Sequence, residues 1–338
     1  MRAPPSLTAA LAACLATSCA IFQHEDHPAP IVRGPIPART QQVVKLTYLD
    51  FRPRRAAIQP ADTTGVSVQA AYSSVYQNGH SGTDDVVFDG EILRTSIAVR
   101  RAVSPSADLE IELAVLYATN GFLDLFVENY HSFFGLPSEG RDSRPRNDYE
   151  MDAFHDGVEA YRLEAYEPGL ADLPIIFTHA IVDETENRPA ISWRAGVELP
   201  TGSESKGFGN GAFDWGGGVL GEKSLGRWSM TGAVDYAFIG TSHSFERANI
   251  EAQDNLDLQL GAEYRWNDRM SLLLGTILES AATRGIPIKE MDGAILSIDV
   301  GAAWDLGDRS RFLLEFGEDA IAKSGPDFTV MAAWSCSL

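Results

Sequence analysis

Residues 255–266 alternate apolar and polar side chains over their whole length. The even positions carry only apolar or aromatic residues, and the odd positions carry polar, charged or glycine residues. Side chains alternate across a β-strand, so this stretch predicts one apolar face that ends in two aromatic side chains. A helix cannot keep six alternations in step, so the pattern excludes a helix here.

The alternation recurs along most of the chain and predicts about 12 to 14 strands, many of them about 9–12 residues long. A first strand is predicted at 43–51, before Arg52 and Pro53. The other predicted strands lie at 66–76, 91–99, 109–117, 158–166, 173–181, 191–199, 212–220, 228–238, 270–281, 294–304, 312–316 and 328–334. Tight turns such as 267–268 and 307–308 join neighbouring strands, which favours an antiparallel, up-and-down arrangement.

A soluble β-sandwich could use such strands, but two observations favour an all-β transmembrane barrel. Sandwich strands are usually shorter, at about 5–6 residues. The apolar faces also end in aromatics, which barrels place at the membrane interfaces. The interface candidates are Trp193, Trp228, Tyr264, Trp266, Trp304 and Trp334, and the polar residues expected to face the lumen are Asp257, Gln259, Glu263, Arg265 and Asp299.

Residues 120–135 break the alternation and have apolar side chains at helical spacing. We expect a short helix here, within a helix and loop insertion at 120–156. One interpretation folds the helix into the lumen, where it narrows a pore. The constriction candidates are then Phe126, Tyr130, His131, Phe134 and Arg141. The other interpretation is a helix that packs in a loop and covers an interface.

The N-terminus has the features of an export signal, with Arg2 followed by an apolar run and small residues up to Ala20. We therefore predict a signal peptide at 1–20, an extended leader at 21–41 and the barrel at 42–338. Two processing routes stay open: cleavage after Ala20, or lipidation at Cys14 or Cys19. If both cysteines are removed, Cys336 has no partner, and a disulfide framework is not expected.

The formal net charge of the 338-residue chain is −20, and 44% of its residues are hydrophobic. Phosphates would repel such an acidic surface, which argues against nucleic acid as a partner. The expected partners are outer-membrane lipid, lipopolysaccharide, the barrel assembly machinery and a small solute. No motif calls for a cofactor or a metal ion.

Three groups of residues are candidates for chemistry. His131 with a distant serine, Ser192 or Ser229, is a hydrolase hypothesis, against a structural histidine. The arginines 141, 144 and 146 are either an anion-binding cluster or a loop neutralised by nearby acids. The acids Glu315, Glu318 and Asp319 either bind a divalent cation or are hydrated.

Three motifs resemble a bacterial outer-membrane family of unknown function, DUF3187. They are Glu315-Phe316-Gly317-Glu318-Asp319 followed by Pro326-Asp327-Phe328, His131-Ser132-Phe133-Phe134-Gly135-Leu136-Pro137 followed by Gly140-Arg141, and Leu199-Pro200-Thr201-Gly202. The resemblance spans roughly residues 34–335 and implies an outer-membrane β-barrel, without an activity to transfer. The chain departs from the usual barrel by ending in Leu338 instead of an aromatic residue.

The leading expectation is therefore a non-enzymatic barrel in the outer membrane of a Gram-negative bacterium. It would be a passive channel for a small solute, with a preference for cations or neutral molecules, or a structural envelope protein. The alternative is an outer-membrane hydrolase that modifies lipid or lipopolysaccharide.

Overall fold

The computed structural model describes residues 33–135, 140–141, 144–321 and 324–338. Within these ranges twelve antiparallel strands close into a barrel, in which each strand pairs with the next along the wall and the last pairs with the first. The predicted all-β barrel is confirmed, at the lower end of the predicted strand number. The predicted signal peptide, with Cys14 and Cys19, lies outside the described residues.

The barrel wall is formed by twelve long strands, whose bounds are β1 Thr64–Ser81, β2 Asp84–Ser104, β3 Ala107–Thr119, β7 Leu173–Val182, β8 Ala190–Leu199, β9 Asp214–Leu225, β10 Trp228–Phe238, β12 Asn255–Arg265, β13 Met270–Glu279, β15 Ile295–Asp305, β16 Ser310–Asp319 and β17 Phe328–Ser337. Five short strands lie in the loops: β4 Glu150–His155, β5 Val158–Arg162, β6 Gly169–Leu170, β11 Glu251–Ala252 and β14 Thr283–Arg284. Three α-helices, α1 Asp124–Phe134, α2 His243–Ala248 and α3 Lys289–Asp292, and two 3-10 turns, Lys45–Thr47 and Glu204–Lys206, complete the described chain.

The wall exposes apolar side chains on its outer face and buries polar side chains on its inner face, which is the reverse of a soluble domain. On β12 the apolar Leu260 is 66% exposed, whereas the adjacent polar Gln259 is only 3% exposed. Leu256, Leu258 and Trp228 are also exposed on the outside. A soluble sandwich would bury these side chains between its sheets, so the exposed apolar face identifies a barrel that is solvated by hydrocarbon.

The two ends of the barrel differ in their connections. At one end, turns of two to seven residues join strand pairs such as β9–β10 and β7–β8. At the other end most connections are long, and residues 120–172 form the longest, although a two-residue turn joins β1 and β2. Barrels of this kind have short periplasmic turns and long extracellular loops, which assigns the short-turn end to the periplasm.

The interior is divided into two layers. Toward the long-loop end, inward-facing residues such as Val75, Ile92 and Leu116 join loop residues such as Phe245 in one apolar cluster. Further toward the short turns, the inward side chains are mostly charged or polar. The long loops therefore cover the extracellular mouth with a hydrophobic core above a charged lumen.

Two of the strands predicted from the pattern are corrected by the structure. Residues 43–51 form a 3-10 turn and irregular chain in place of a strand, because they lie inside the barrel away from any wall edge. Residues 158–166 contain only the short β5, which pairs with β4 in the loop layer. Cys336 is disulfide-bonded. The prediction that it lacks a partner once both early cysteines are removed stays a prediction. Of the helices described, none has the length and apolar character needed to cross a membrane.

Candidate functional site

Residues 33–63 run through the interior of the barrel, and we call them the luminal segment. The segment begins toward the short-turn end, where the amide of Gly34 donates to the Glu263 carboxylate on β12 (3.2 Å). It reaches the apolar layer at the 3-10 turn Lys45–Thr47 and then returns to the start of β1. The lumen is therefore occupied by the chain's own N-terminal part.

The luminal segment is basic in a chain that is acidic overall. Between residues 33 and 58 it carries six basic side chains and one acidic side chain, whereas the whole chain has a net charge of −20. The basic residues are Arg33, Arg39, Lys45, Arg52, Arg54 and Arg55, and the acidic residue is Asp50. Its charge thus complements an inner wall on which carboxylates are frequent.

Four of these basic side chains form ion pairs with carboxylates of the wall. The nitrogen–oxygen distances are 3.5 Å for Lys45–Glu279, 3.2 Å for Arg52–Glu110, 3.1 Å for Arg52–Glu112, 2.8 Å for Arg54–Asp108 and 2.7 Å for Arg55–Glu222. A buried pair is costly to break from one side only, by about 3–5 kcal/mol, because a charge is left without its partner. The pairs therefore fix the position of the segment, whatever their net contribution to folding.

The wall also donates hydrogen bonds to the segment's backbone. Arg194 on β8 donates to the carbonyl oxygens of Arg52 (2.7 Å) and Phe51 (3.2 Å). Its guanidinium lies over the Phe51 ring and is held from behind by the Asp235 carboxylate (2.6 Å). The buried carbonyl groups of the segment are thus hydrogen-bonded by Arg194, which Asp235 holds in place.

Glycines in the wall make room for the segment. A Cβ added at Gly196 would lie 2.9 Å from the Phe51 ring, and one at Gly261 would lie 2.9 Å from Pro35. Both distances are shorter than ordinary van der Waals contact, so a side chain at either position requires a neighbour to move. These two glycines therefore permit the close approach of the segment to β8 and β12.

Two buried arginines of the segment, Arg52 and Arg54, stay protonated at neutral pH. Burial lowers the pKa of Arg54 to about 10, which leaves its guanidinium protonated at neutral pH. Burial opposes the charged form of Arg52 as well, but Glu112 and Glu110 outweigh it, so the pKa of Arg52 is raised. Both of these guanidinium groups are therefore charged partners for the wall carboxylates at neutral pH.

The residues predicted to face the lumen have buried positions along the inner wall. Gln259 donates to the carbonyl of Phe51, and Glu263 accepts from Arg311 (2.9 Å). Asp257 and Asp299 are buried on β12 and β15. Arg265 lies at the short-turn end, where it pairs with Asp305 (3.1 Å).

Helix α1 lies outside the barrel, which corrects the expectation that it narrows the lumen. Phe126 packs against Phe328, and Tyr130 packs against Phe316, with ring centroids 5.7 Å apart in both pairs. Phe316 lies opposite Val300 and Val330, which are exposed on the outer face of the wall. Cross-strand partners share a face, so α1 contacts the lipid-facing side. Phe134 packs on Tyr130 and is itself exposed.

The other two constriction candidates lie with α1. Arg141 is buried between the carboxylates of Asp124 and Asp327, and His131 is buried with its Nε2 3.8 Å from Glu318 Oε1. Ser192, in contrast, donates to a backbone carbonyl inside the lumen. The barrel wall thus separates His131 from Ser192, so the two do not form a catalytic pair.

The basic loop and the acidic cluster do not form the sites considered from sequence. Every one of the three loop arginines pairs with carboxylates: Arg141 as above, Arg144 with Asp89 (3.0 Å) and Glu150 (2.6 Å), and Arg146 with Glu128 (2.5 Å). Glu315 faces inward on β16, whereas Glu318 lies on the outer side beside α1. Residues with odd and even numbers on one strand point to opposite faces, so Glu318 cannot share a cation with Glu315.

The six interface aromatics lie near the short-turn end of the barrel. Trp228 packs on Tyr264 beside the β9–β10 turn, and Trp304 packs on Phe312 close to the β15–β16 turn. At the opposite end, Trp215 stacks on Phe238 with centroids 4.2 Å apart. Aromatics thus occur on the outer face toward both ends of the wall.

The site residues that the sequence analysis missed belong to the luminal segment. A signal was present, because six basic residues fall within 33–55 of an acidic chain. The alternation at 43–51 concealed it, since short apolar runs fit a strand as well as a packed irregular segment.

The architecture and the charged, occupied lumen define a β-barrel of the outer-membrane type. The chain belongs to the family described as protein of unknown function, DUF3187, whose model matches residues 11–336. No curated protein sequence matches the chain.

Among solved structures, the chain is similar to the COG4313 outer membrane channel from Pseudomonas putida F1, at 13% identity and a TM-score of 0.56. That match covers 86% of this chain and 100% of the other. The toluene transporter TodX of P. putida aligns at 9% identity over 82% and 90% of the two chains, with a TM-score of 0.40. The first likeness shows the shared barrel fold.

Proposed function

We propose that this protein is an outer-membrane channel for a small solute that its own luminal segment keeps closed. The observation that carries the proposal is the way in which the segment is held. It crosses a charged lumen on ion pairs and hydrogen bonds, such as Arg52–Glu112 and Arg55–Glu222. A barrel with a purely structural role has no need of a hydrophilic interior that a polar, basic segment fills.

The chemistry of the lumen suggests which solutes pass when the segment moves. Displacement of the segment exposes wall carboxylates, including Asp108, Glu110, Glu222 and Glu279. Carboxylates that line a pore favour cations over anions. The proposed solute is therefore small and either cationic or neutral.

Opening also requires a change at the extracellular mouth. The segment contributes Val44, Leu46 and Leu49 to the apolar cluster that closes this end. Withdrawal of the segment removes these side chains from the cluster and loosens the cover formed by the loops. A single movement can thus clear both the charged lumen and the apolar layer.

The test is conductance in planar bilayers, with the wild-type protein compared with a variant that lacks residues 36–58. We expect long closed periods for the wild type and sustained, cation-selective openings for the deletion, measured as current and as reversal potential in a KCl gradient. Heat-dependent gel mobility and circular dichroism check that the barrel is folded.

A milder variant keeps the test decisive if the deletion does not fold. Arg52→Gln combined with Arg55→Gln retains the segment but removes two of its ion-paired cations, so we expect more frequent openings than in the wild type. Folded variants that conduct no better than the wild type would instead favour a closed barrel with a structural role. Anion selectivity would contradict the proposed solute class.

A further inference from the structure

We propose that the lumen contains a binding site for a divalent metal cation, formed by Asp50, Asp257 and Glu279. One carboxylate oxygen from each residue lies within 4.8 Å of the others. Asp50 belongs to the luminal segment, whereas Asp257 and Glu279 are direct cross-strand neighbours on β12 and β13. The site therefore joins the segment to the wall.

Asp257 supplies the independent observation that points to a ligand. Its side chain is only 1% exposed, and neither of its carboxylate oxygens has a hydrogen-bond partner within the described residues. A buried carboxylate without donors is strongly unfavourable unless a positive charge compensates it.

The nearby basic residues do not fill this role. Lys45 lies 3.5 Å from Glu279 and donates to the amide oxygen of Asn255 and to the carbonyl of Ser280 (2.8 Å). Arg39 lies 3.1 Å from Asp50 and donates to two backbone carbonyls of the segment. Three carboxylates thus face two cations, and the carboxylate with no donor is the most deeply buried of the three.

The donor set indicates the kind of cation. All three side chains offer oxygen, which hard cations such as Ca²⁺ prefer, whereas metals that favour sulfur or imidazole find neither here. Ca²⁺ accepts irregular coordination at distances of about 2.3–2.6 Å, and water can complete its shell in a polar lumen. We therefore assign the site to Ca²⁺ in preference to Mg²⁺, which requires stricter geometry.

The bound ion would act as a latch, meaning that it would link Asp50 of the segment to the two wall carboxylates and hold the segment in the closed position. Only this effect on opening depends on the proposed channel function. The binding itself is a property of the folded barrel, so the two proposals can fail separately.

The experiment measures Ca²⁺ binding to the full-length, detergent-solubilised protein by calorimetry, after chelator treatment and removal of lipopolysaccharide. We expect one Ca²⁺ per chain and a higher unfolding temperature in Ca²⁺ than in chelator, because an ion that binds only the folded state stabilises it. Asp257→Asn, which keeps the side-chain shape, should weaken binding by about tenfold or more, since it removes a ligand charge.

The matched control is Asp299→Asn, which alters another buried aspartate of the inner wall outside the cluster. It should bind Ca²⁺ like the wild type. Absence of Ca²⁺ binding to the wild type, or equal affinity in Asp257→Asn, would overturn the site and would indicate that a shared proton neutralises the carboxylates. Ca²⁺ binding without an effect on conductance would retain the site and reject the latch.

Discussion

Helix α1 and the luminal segment are both non-strand parts of the chain, and they lie on opposite sides of the same wall. The segment is basic and packs inside, against carboxylates such as Glu112 and Glu222. The helix is aromatic and packs outside, where Phe126 and Tyr130 contact outward-facing rings of β16 and β17.

The difference shows that the chemistry of each wall face selects what packs against it. The basic side chains of the segment meet carboxylates on the inner face, and the rings of α1 meet aromatic rings on the outer face. Proximity in sequence to a loop or to the N-terminus does not decide the location. Complementarity with a face of the closed barrel does.

The largest effect is expected from removal of the ion pair that anchors the α1 region. Arg141→Met leaves the buried carboxylates of Asp124 and Asp327 without their shared cation. We expect a loss of about 3–5 kcal/mol in unfolding free energy, measured by urea titration in detergent.

The matched control for this variant is Arg146→Met, which breaks an exposed pair with Glu128 and should change stability little. Equal stability losses for the two variants would show that burial of the Arg141 ion pairs does not increase their contribution to the unfolding free energy. Neither variant should alter conductance if α1 is confined to the outside of the barrel.

A smaller effect is expected when the space used by the luminal segment is filled. Gly196→Val places methyl groups against Ile176 of β7 and against the Phe51 ring, and overpacking of this kind costs about 1–3 kcal/mol. If the cost falls on the closed state, the open probability in planar bilayers rises by about tenfold for each 1.4 kcal/mol.

Gly221→Val is the control for this substitution, because a Cβ at Gly221 meets no atom within 4 Å. It should gate like the wild type. An unchanged open probability in folded Gly196→Val would mean that contact between Phe51 and β8 does not hold the segment in place.

The smallest effect is expected on α1 itself. Phe126 is 51% exposed, so Phe126→Ala removes a half-buried contact with Phe328, worth about 1 kcal/mol of unfolding free energy in detergent. Phe133, at 82% exposure, serves as the control, and Phe133→Ala should leave detergent stability unchanged. A large conductance change in either variant would place α1 in the permeation path after all.

Much of the fold could be predicted from local pattern. The alternation at 255–266 identified both faces of β12, and similar patterns located most other wall strands to within a few residues. The prediction failed at 43–51, where a short apolar run was consistent with a strand. For α1 it left two locations open, because periodicity shows that a helix is amphipathic without showing which side of the wall it contacts.

The sequence by itself determined a sheet with one apolar and one polar face, because side-chain alternation is a local property of an extended chain. Only the tertiary structure decided what occupies the lumen, since contacts such as Lys45–Glu279 and Arg55–Glu222 join residues far apart in sequence. The Asp50, Asp257 and Glu279 cluster has the same origin. Its members meet only once the sheet has closed and the luminal segment lies inside it.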